Sequence, residues 1–296
     1  NGDLSRWHTE QVVDMSGTFH GCEDLSERSG VAKWDTRSLT DASDIFKLCK
    51  TFDADLGNWD VSDVQSFTYA FAGATSFTGR GLEHWNVDSL RNTQAMFFQA
   101  EKFNGTISRW QTHNLRRMDW MFREATHFNQ NLDQWDVSHT VNDCDGFSTT
   151  AAGCGMWSVF REAVVFNGNV STWQVGHIHS LNSMFAGARK FNGDISGWNV
   201  SSAKHTKEMF REATNFNADL ARWDVSQVHD MTHMFNRALS FNGDISHWNV
   251  SRVEFMDAMF YRADVFNGDL SLWDTRAVVS MEGLFLDSPG ACACFR

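Results

Sequence analysis

Residues 216–242 read F-N-A-D-L-A-R-W-D-V-S-Q-V-H-D-M-T-H-M-F-N-R-A-L-S-F-N, and the Phe216-Asn217 that opens the stretch returns at its end as Phe241-Asn242. The copies beginning at Phe191, Phe241 and Phe266 follow the same pattern. Working outward, Trp223 is one member of a periodic series: Trp7, Trp34, Trp59, Trp85, Trp110, Trp135, Trp173, Trp198, Trp223, Trp248 and Trp273. The intervals are 25 to 27 residues, except for 38 between Trp135 and Trp173, which is one period plus 13 residues. Trp120 and Trp157 fall outside the series. Phe147 and Phe160 both suit one repeat position, which places the insertion at residues 148–160. A period between about 20 and 50 residues marks a solenoid or propeller, because each unit leaves its core side open until the next is stacked on it.

Within one unit, Leu220, Trp223 and Val225 stand at spacings of 3 and 2, which reads as a short strand. Ser226 suits a helix N-cap. Val228, Met231, Met234, Phe235 and Ala238 then recur at 3, 3, 1 and 3, which reads as a short helix. The expected fold is an α/β solenoid: a right-handed, leucine-rich-repeat-like superhelix of about eleven 25-residue strand–short helix repeats with a parallel concave sheet. A single solenoid spans 1–296, with loose repeats over 1–76, regular repeats over 77–147 and 161–288, and a tail at 289–296.

The motif W-[DN]-V-S-x-V-x-x-M-x-x-M-F-x-x-A-x-x-F-N-x-D-[LI]-S resembles the 26-residue repeat of bacterial surface proteins, the BspA-type, leucine-rich-repeat-like family that also occurs in algae and protists. The resemblance covers nearly the whole chain. It implies a solenoid, display at a cell surface or in a lumen, and contact with protein or glycan; it supplies no catalytic residues. No lipobox or cell-wall sorting signal accompanies the repeats, and Val31 and Gly30 depart from the motif in the early copies.

Composition narrows the partners. The formal charge of −12 opposes sequence-independent nucleic-acid binding and docking on anionic lipid. No apolar run approaches the ~20 residues of a membrane-spanning helix. The chain opens at Asn1 inside a repeat, so the sequence reads as a mature or trimmed fragment.

Equivalent positions of a solenoid stack into columns. Trp59, Trp85, Trp110, Trp135, Trp173, Trp198, Trp223, Trp248 and Trp273 are expected in the core. A methionine column (Met15, Met118, Met184, Met231, Met256, Met281, with Asp44 and Phe67 as exceptions) fills it further. The Asn column, from Asn104 through Asn129, Asn167, Asn192, Asn217 and Asn242 to Asn267, is expected to be buried and to bond backbone groups of its own and adjacent coils. Asp55, Asp194, Asp219, Asp244 and Asp269 cap the tight turn or, as a sharper alternative, hold calcium through Asp194, Asp219, Asp244 and Asp269.

The residues flanking each Trp are read as the outer side of the strand and the candidate binding face. They are Asp60, Asn86, Gln111, Asp136, Asn199, Asp224, Asn249 and Asp274 after the Trp, and Arg109, Arg222 and His247 before it. Opposite charges in neighbouring columns would also satisfy one another. His229 with His233, and His177 with His179, have metal-compatible spacing but no third ligand, so no metal site is assigned. Sequons stand at Asn104, Asn169, Asn199 and Asn249.

Cys22 and Cys49 each lie fifteen residues after a repeat Trp, so stacking brings them within disulfide reach; Cys144 and Cys154 form a second candidate pair beside the insertion. Cys292 and Cys294 stand too close to bond to each other comfortably. Bridges would imply an oxidising compartment, extracellular, surface or lumenal; free thiols are the alternative. No nucleophile elbow, phosphate loop or metalloprotease motif occurs. The expected function is a non-enzymatic protein-interaction scaffold or accessory subunit without cofactor. The alternatives are a glycan or surface adhesion module, calcium-assisted or not, and, more remotely, a polysaccharide-active solenoid enzyme.

Overall fold

A computed structural model describes residues 2–141 and 156–288. Its coils are polygons of tight turns. In the coil of residues 216–241, Trp223 N–H donates to Leu220 O at 3.0 Å, Val228 to Val225 at 2.9 Å, Met234 to Met231 at 3.0 Å, Ala238 to Phe235 at 3.0 Å and Phe241 to Ala238 at 3.1 Å. Each bond closes a four-residue turn, whose first and last residues come together. That is why apolar residues recur every third position. Leu220, Trp223, Val225, Val228, Met231, Met234, Phe235, Ala238 and Phe241 are all buried.

The remaining amides join the coils. Met231, His233, Phe235 and Arg237 donate to Phe255, Asp257, Met259 and Tyr261 of the next coil at 2.7–2.9 Å. Between them, Asn236 N–H turns back to His233 O at 3.1 Å, and Thr232 N–H is taken by Asp230 Oδ1 at 2.8 Å. With the two turn bonds at Met234 and Ala238, every N–H from 231 to 238 has a partner, as a buried wall of backbone requires.

This overturns the expected strand and helix. An α-helix consumes its N–H groups internally and would leave neighbouring coils unjoined along this wall. Among the described residues the helical elements are short 3-10 turns at Glu27–Ser29, Val31–Lys33 and Leu82–His84. The Leu220-x-x-Trp223 segment is a turn, not a strand. Parallel pairing occurs instead as isolated bridges in the segment read as helix, running Asp14–Asp41–Ser66–Asn92–Arg117 and Ser180–His205–Asp230–Phe255–Ser280. The solenoid stands; among the described residues the parallel sheet of Leu-x-x-Trp-x-Val strands is not observed.

The wall needs two left-handed residues per coil, at the third position of successive turns. His233 (φ 57°) and Arg237 (φ 58°) are one pair, and Glu208/Glu212 and Ala258/Arg262 are others. Such a conformation costs about 1–2 kcal/mol at a residue with a Cβ. The compensation is local: it is these residues whose N–H groups reach the next coil.

The core is a set of aromatic columns. Phe235 and Phe241 stack within their coil at 3.9 Å, and Phe235 stacks on Phe210 and Phe260 in the flanking coils at 5.7 Å. The Trp column is core as expected, with Trp223 only 3% exposed. From Trp34 to Trp273 each repeat indole N–H donates to a Leu, Ile or Val carbonyl of the preceding coil at 2.9–3.1 Å. The single methionine column resolves into two: Met184 aligns with Met234 rather than Met231, and Ala42, not Asp44, stands in line with Met15, because Met15, Ala42, Leu181 and Met231 are the equivalent ladder donors.

The ladder also relocates the insertion. Val141 N–H still meets Arg116 O at the regular offset, whereas Trp120, Phe122 and Glu124 donate to Trp157, Val159 and Arg161. Met156, Val159 and Phe160 are fully buried members of a regular coil. The extra residues therefore stand between 141 and 156, and residues 156–160 are not part of an insertion. Phe147, Cys144, Cys154, Cys292 and Cys294 lie outside the described residues.

Candidate interaction surface

An Asp or Asn after the repeat Trp holds its own turn. Asp60 Oδ1 accepts the Ser62 N–H at 3.0 Å, Asn86 the Asp88 N–H at 3.0 Å, Asp136 the Ser138 N–H at 2.9 Å, Asn199 the Ser201 N–H at 3.1 Å, Asp224 the Ser226 N–H at 3.0 Å and Asn249 the Ser251 N–H at 3.2 Å. The W-[DN]-V-S motif is thus an Asx turn, in which a short acceptor side chain bonds the backbone two residues on. Gln111, one carbon longer, instead donates to Arg109 O at 3.2 Å. Asp274 takes the Arg276 N–H and its guanidinium, which holds the carboxyl down to about 2. Hydroxyls of Ser138 and Ser226 hold Asp136 and Asp224 below the usual carboxylate range.

Arg109, Arg222 and His247 line the other side of the Trp and are exposed. Among the described residues no ion pair joins them to the Asp column, so mutual satisfaction across coils is not the arrangement adopted. Acceptors fixed by their own turns stand beside Arg109, Arg222 and His247; Gln134, Thr172 and Gly197 separate Arg109 from Arg222 in that column.

The turn Asp column behaves alike. Asp55, Asp194, Asp219, Asp244 and Asp269 accept the N–H two residues on at 2.9–3.0 Å. This is the capping role. No group of three or more His, Cys, Asp or Glu positioned for a metal ion occurs among the described residues. The Asn column forms the expected ladder: Asn192 N–H donates to Asn167 Oδ1, Asn217 to Asn192 and Asn242 to Asn217, each at 2.8 Å. The column is exposed rather than buried, because an acceptor on the outer rim bridges coils as effectively as one inside. His229 and His233 diverge: His229 faces Glu254 at 3.6 Å, and His233 Nδ1 pairs with the Asn236 amide at 2.9 Å.

Cys22 and Cys49 are free thiols. They hold equivalent positions, but Cys49 is buried and its Sγ donates to Phe19 O at 3.0 Å, while Cys22 is exposed in the first coil. Burial pushes the Cys49 thiol up to about 12, where it carries little thiolate. The expected Cys22–Cys49 bridge is absent, so this pair supplies no argument for an oxidising compartment.

Two features escaped the sequence reading. Arg161, Glu208, Arg211, Glu212 and Arg237 form a chain of ion pairs across three coils at 2.9–3.7 Å. Phe98, Trp120 and Trp157 make an outer aromatic cluster, with the Arg123 guanidinium 5.4 Å from the rings of both Phe98 and Trp120. The two off-period tryptophans were the signal for it.

A family model described as "Mycoplasma protein of unknown function, DUF285" matches four overlapping segments, 1–81, 67–153, 149–238 and 206–292. The chain belongs to the DUF285 family. Each match spans three to four coils, as tandem stacking of this family's repeat requires. No curated protein matches. Among solved structures, a TLR13–ssRNA13 complex is 8% identical, covering 93% of this chain and 36% of the other at a TM-score of 0.30. The Drosophila Toll–Spatzle complex is 11% identical, covering 92% and 34% at 0.28. An internalin of Listeria monocytogenes is 9% identical, covering 86% and 74% at 0.26. The chain spans about a third of the length of the first two.

Proposed function

We propose that this DUF285 chain is a non-enzymatic protein-interaction scaffold or accessory subunit, and that its partner is a protein read along the columns flanking Trp. The observation that carries the reading is that exposed Arg109, and the neighbouring Arg222 and His247 farther along the column, make no ion pair among the described residues and stand beside Asp and Asn side chains immobilised by their own turns. Acceptors already held by their own turns lose little conformational freedom on binding, while each free Arg side chain bears an ordering cost of about 0.5–1.5 kcal/mol. A solenoid offers such rows as an extended surface, here taken as its concave side. The likeness of the repeat to BspA-type surface repeats supports display at a cell surface or in a lumen.

The test is capture on immobilised chain with cross-linking and mass spectrometry, repeated with Arg109→Glu/Arg222→Glu. A partner lost in the double variant, with cross-links to the flanking columns, is the expected result. Cross-links confined to other faces, or binding only to glycans and only with calcium present, would overturn it.

A further inference from the structure

A groove runs lengthwise along the wall, between two columns of the stack. One column passes from Gln99 through Glu124, Glu162, Gly187, Glu212 and Arg237 to Arg262. Each N–H in it, as far as that of Arg237, donates to the residue before the next member at 2.6–2.9 Å. The other column stands two residues later and includes Glu101, Val164, Arg189, Leu239 and Asp264. Together they line about 500 Å³ between Leu48 and Val164 and about 480 Å³ between Arg189 and Asp264.

The two parts carry opposite charge. Glu101, Glu124 and Glu162 outnumber Lys50 in the first, where Lys50 is itself paired with Glu23 at 2.8 Å. Arg189, Arg237 and Arg262 outnumber Glu212 and Asp264 in the second. Internal pairs use only some of this charge. Glu124 meets Arg123 at 3.1 Å, and Glu212 meets Arg211 at 2.9 Å and Arg237 at 3.7 Å. The carboxylates of Glu101 and Glu162 and the guanidiniums of Arg189 and Arg262 make no ion pair or side-chain hydrogen bond among the described residues. Apolar side chains gather on the same line. Of the large ones left exposed between residues 48 and 265, Leu48, Val165, Leu239 and Val265 line or border the groove, and Phe255 alone among the described residues stands elsewhere.

We propose that this groove is a second interaction surface, separate from the columns flanking Trp, and that it binds an extended protein segment whose basic half lies along Glu101–Glu162 and whose acidic half lies along Arg189–Arg262. Complementary potentials fix the register and direction of such a segment, and the apolar side chains along the line add contact area. Ladder-paired coils stand about 4.8 Å apart, so the six steps from Gln99 to Arg262 span roughly 29 Å, the reach of about nine extended residues. Side chains carry the recognition, because the N–H groups of this wall are already spent on the next coil. A groove accepts a ridge and not another groove, so the same face of a second copy does not fit it.

Fluorescence anisotropy on the whole chain tests this with a labelled peptide of about ten residues, alternating Lys and Val and then alternating Glu and Val. The control peptide has the same composition with Lys and Glu interleaved. The segregated peptide is expected to bind about tenfold more tightly than the control and to weaken as salt rises. Glu101→Lys/Glu162→Lys is expected to lose about tenfold or more of that affinity. Adding Arg189→Glu/Arg262→Glu is expected to restore it with the direction reversed. A photo-cross-linker on the basic end of the peptide reads the direction: residues near Glu101–Glu162 in the wild-type chain, residues near Arg189–Arg262 in the fully exchanged one. The wild-type cross-link map decides by itself where a variant loses its circular dichroism. A peptide that does not bind, a control that binds equally well, or cross-links on another face, the columns flanking Trp included, would each overturn the proposal.

Discussion

The coils of residues 241–266 and 266–288 share the Phe-Asn-Gly-Asp opening and the repeat Trp, Val, Met and Phe, in different surroundings. Trp248 is 3% exposed, while its equivalent Trp273 is only half-buried; Met256 is fully buried and Met281 is 46% exposed. At these two positions the residue type is the same in both coils. Among the described residues the coil of 241–266 has neighbours on both sides and the coil of 266–288 on a single side. Burial in this protein is therefore a property of the stack, and stability is a sum of coil and interface contributions.

The sharpest break of that comparison is Trp223→Ala against Trp273→Ala. The interior change removes a buried ring and an indole hydrogen bond and is expected to cost about 3–5 kcal/mol. At Trp273 less than half of that loss is expected, because among the described residues one face of the ring has no coil on it and the ring is only partly buried. Denaturant midpoints of the two variants, read by circular dichroism, check the ratio; equal losses would contradict it.

The coil after the insertion differs from the regular ones in how closely it approaches its neighbour. A Cβ on Gly168 would lie 2.0 Å from Gln130 O, whereas on Gly243 it would lie 3.1 Å from Ala218 O. Ala218 itself occupies this slot in a regular coil. Gly168→Ala is expected to cost about 1–3 kcal/mol through the forced backbone shift, and Gly243→Ala to be close to neutral in the same thermal melt.

A smaller effect separates turns from helix. Ala258 has φ 47°. Ala258→Gly relieves a left-handed residue and is expected to gain up to about 1 kcal/mol. In a helix the same change would cost about 1 kcal/mol. The sign of the shift in denaturant midpoint decides between the two geometries.

The smallest effect concerns pH. His205 is 8% exposed, and burial holds its pKa below the ordinary value of about 6.5. The unfolded chain then takes up the proton first. The contribution is complete above the unfolded pKa and declines as pH falls from there through the folded pKa. Melting temperatures measured from neutral to mildly acidic pH are expected to decline less in His205→Gln than in the unaltered chain; parallel curves would remove this residue from the account.

Much of this architecture was legible in the residues. The Trp period gave the stack, the core column and the equivalence of positions such as Cys22 and Cys49. The Asn ladder was foreseen as a bridge between coils, though not as an exposed one. The Asx role of the residue after Trp was missed because alternation suggested an outward-facing strand. The Arg161–Glu208–Arg211–Glu212–Arg237 chain was missed because its members come from three coils and touch only after stacking.

The sequence by itself determined that the coils repeat, which side chains face inward and how many residues each circuit takes, since burial selects residue type position by position. It did not determine the backbone between those points. Apolar residues three apart suit a helical turn and a closed four-residue turn equally well, and only the tertiary structure decides between them. The deciding interaction is a backbone N–H reaching the next coil, which any residue makes regardless of its side chain.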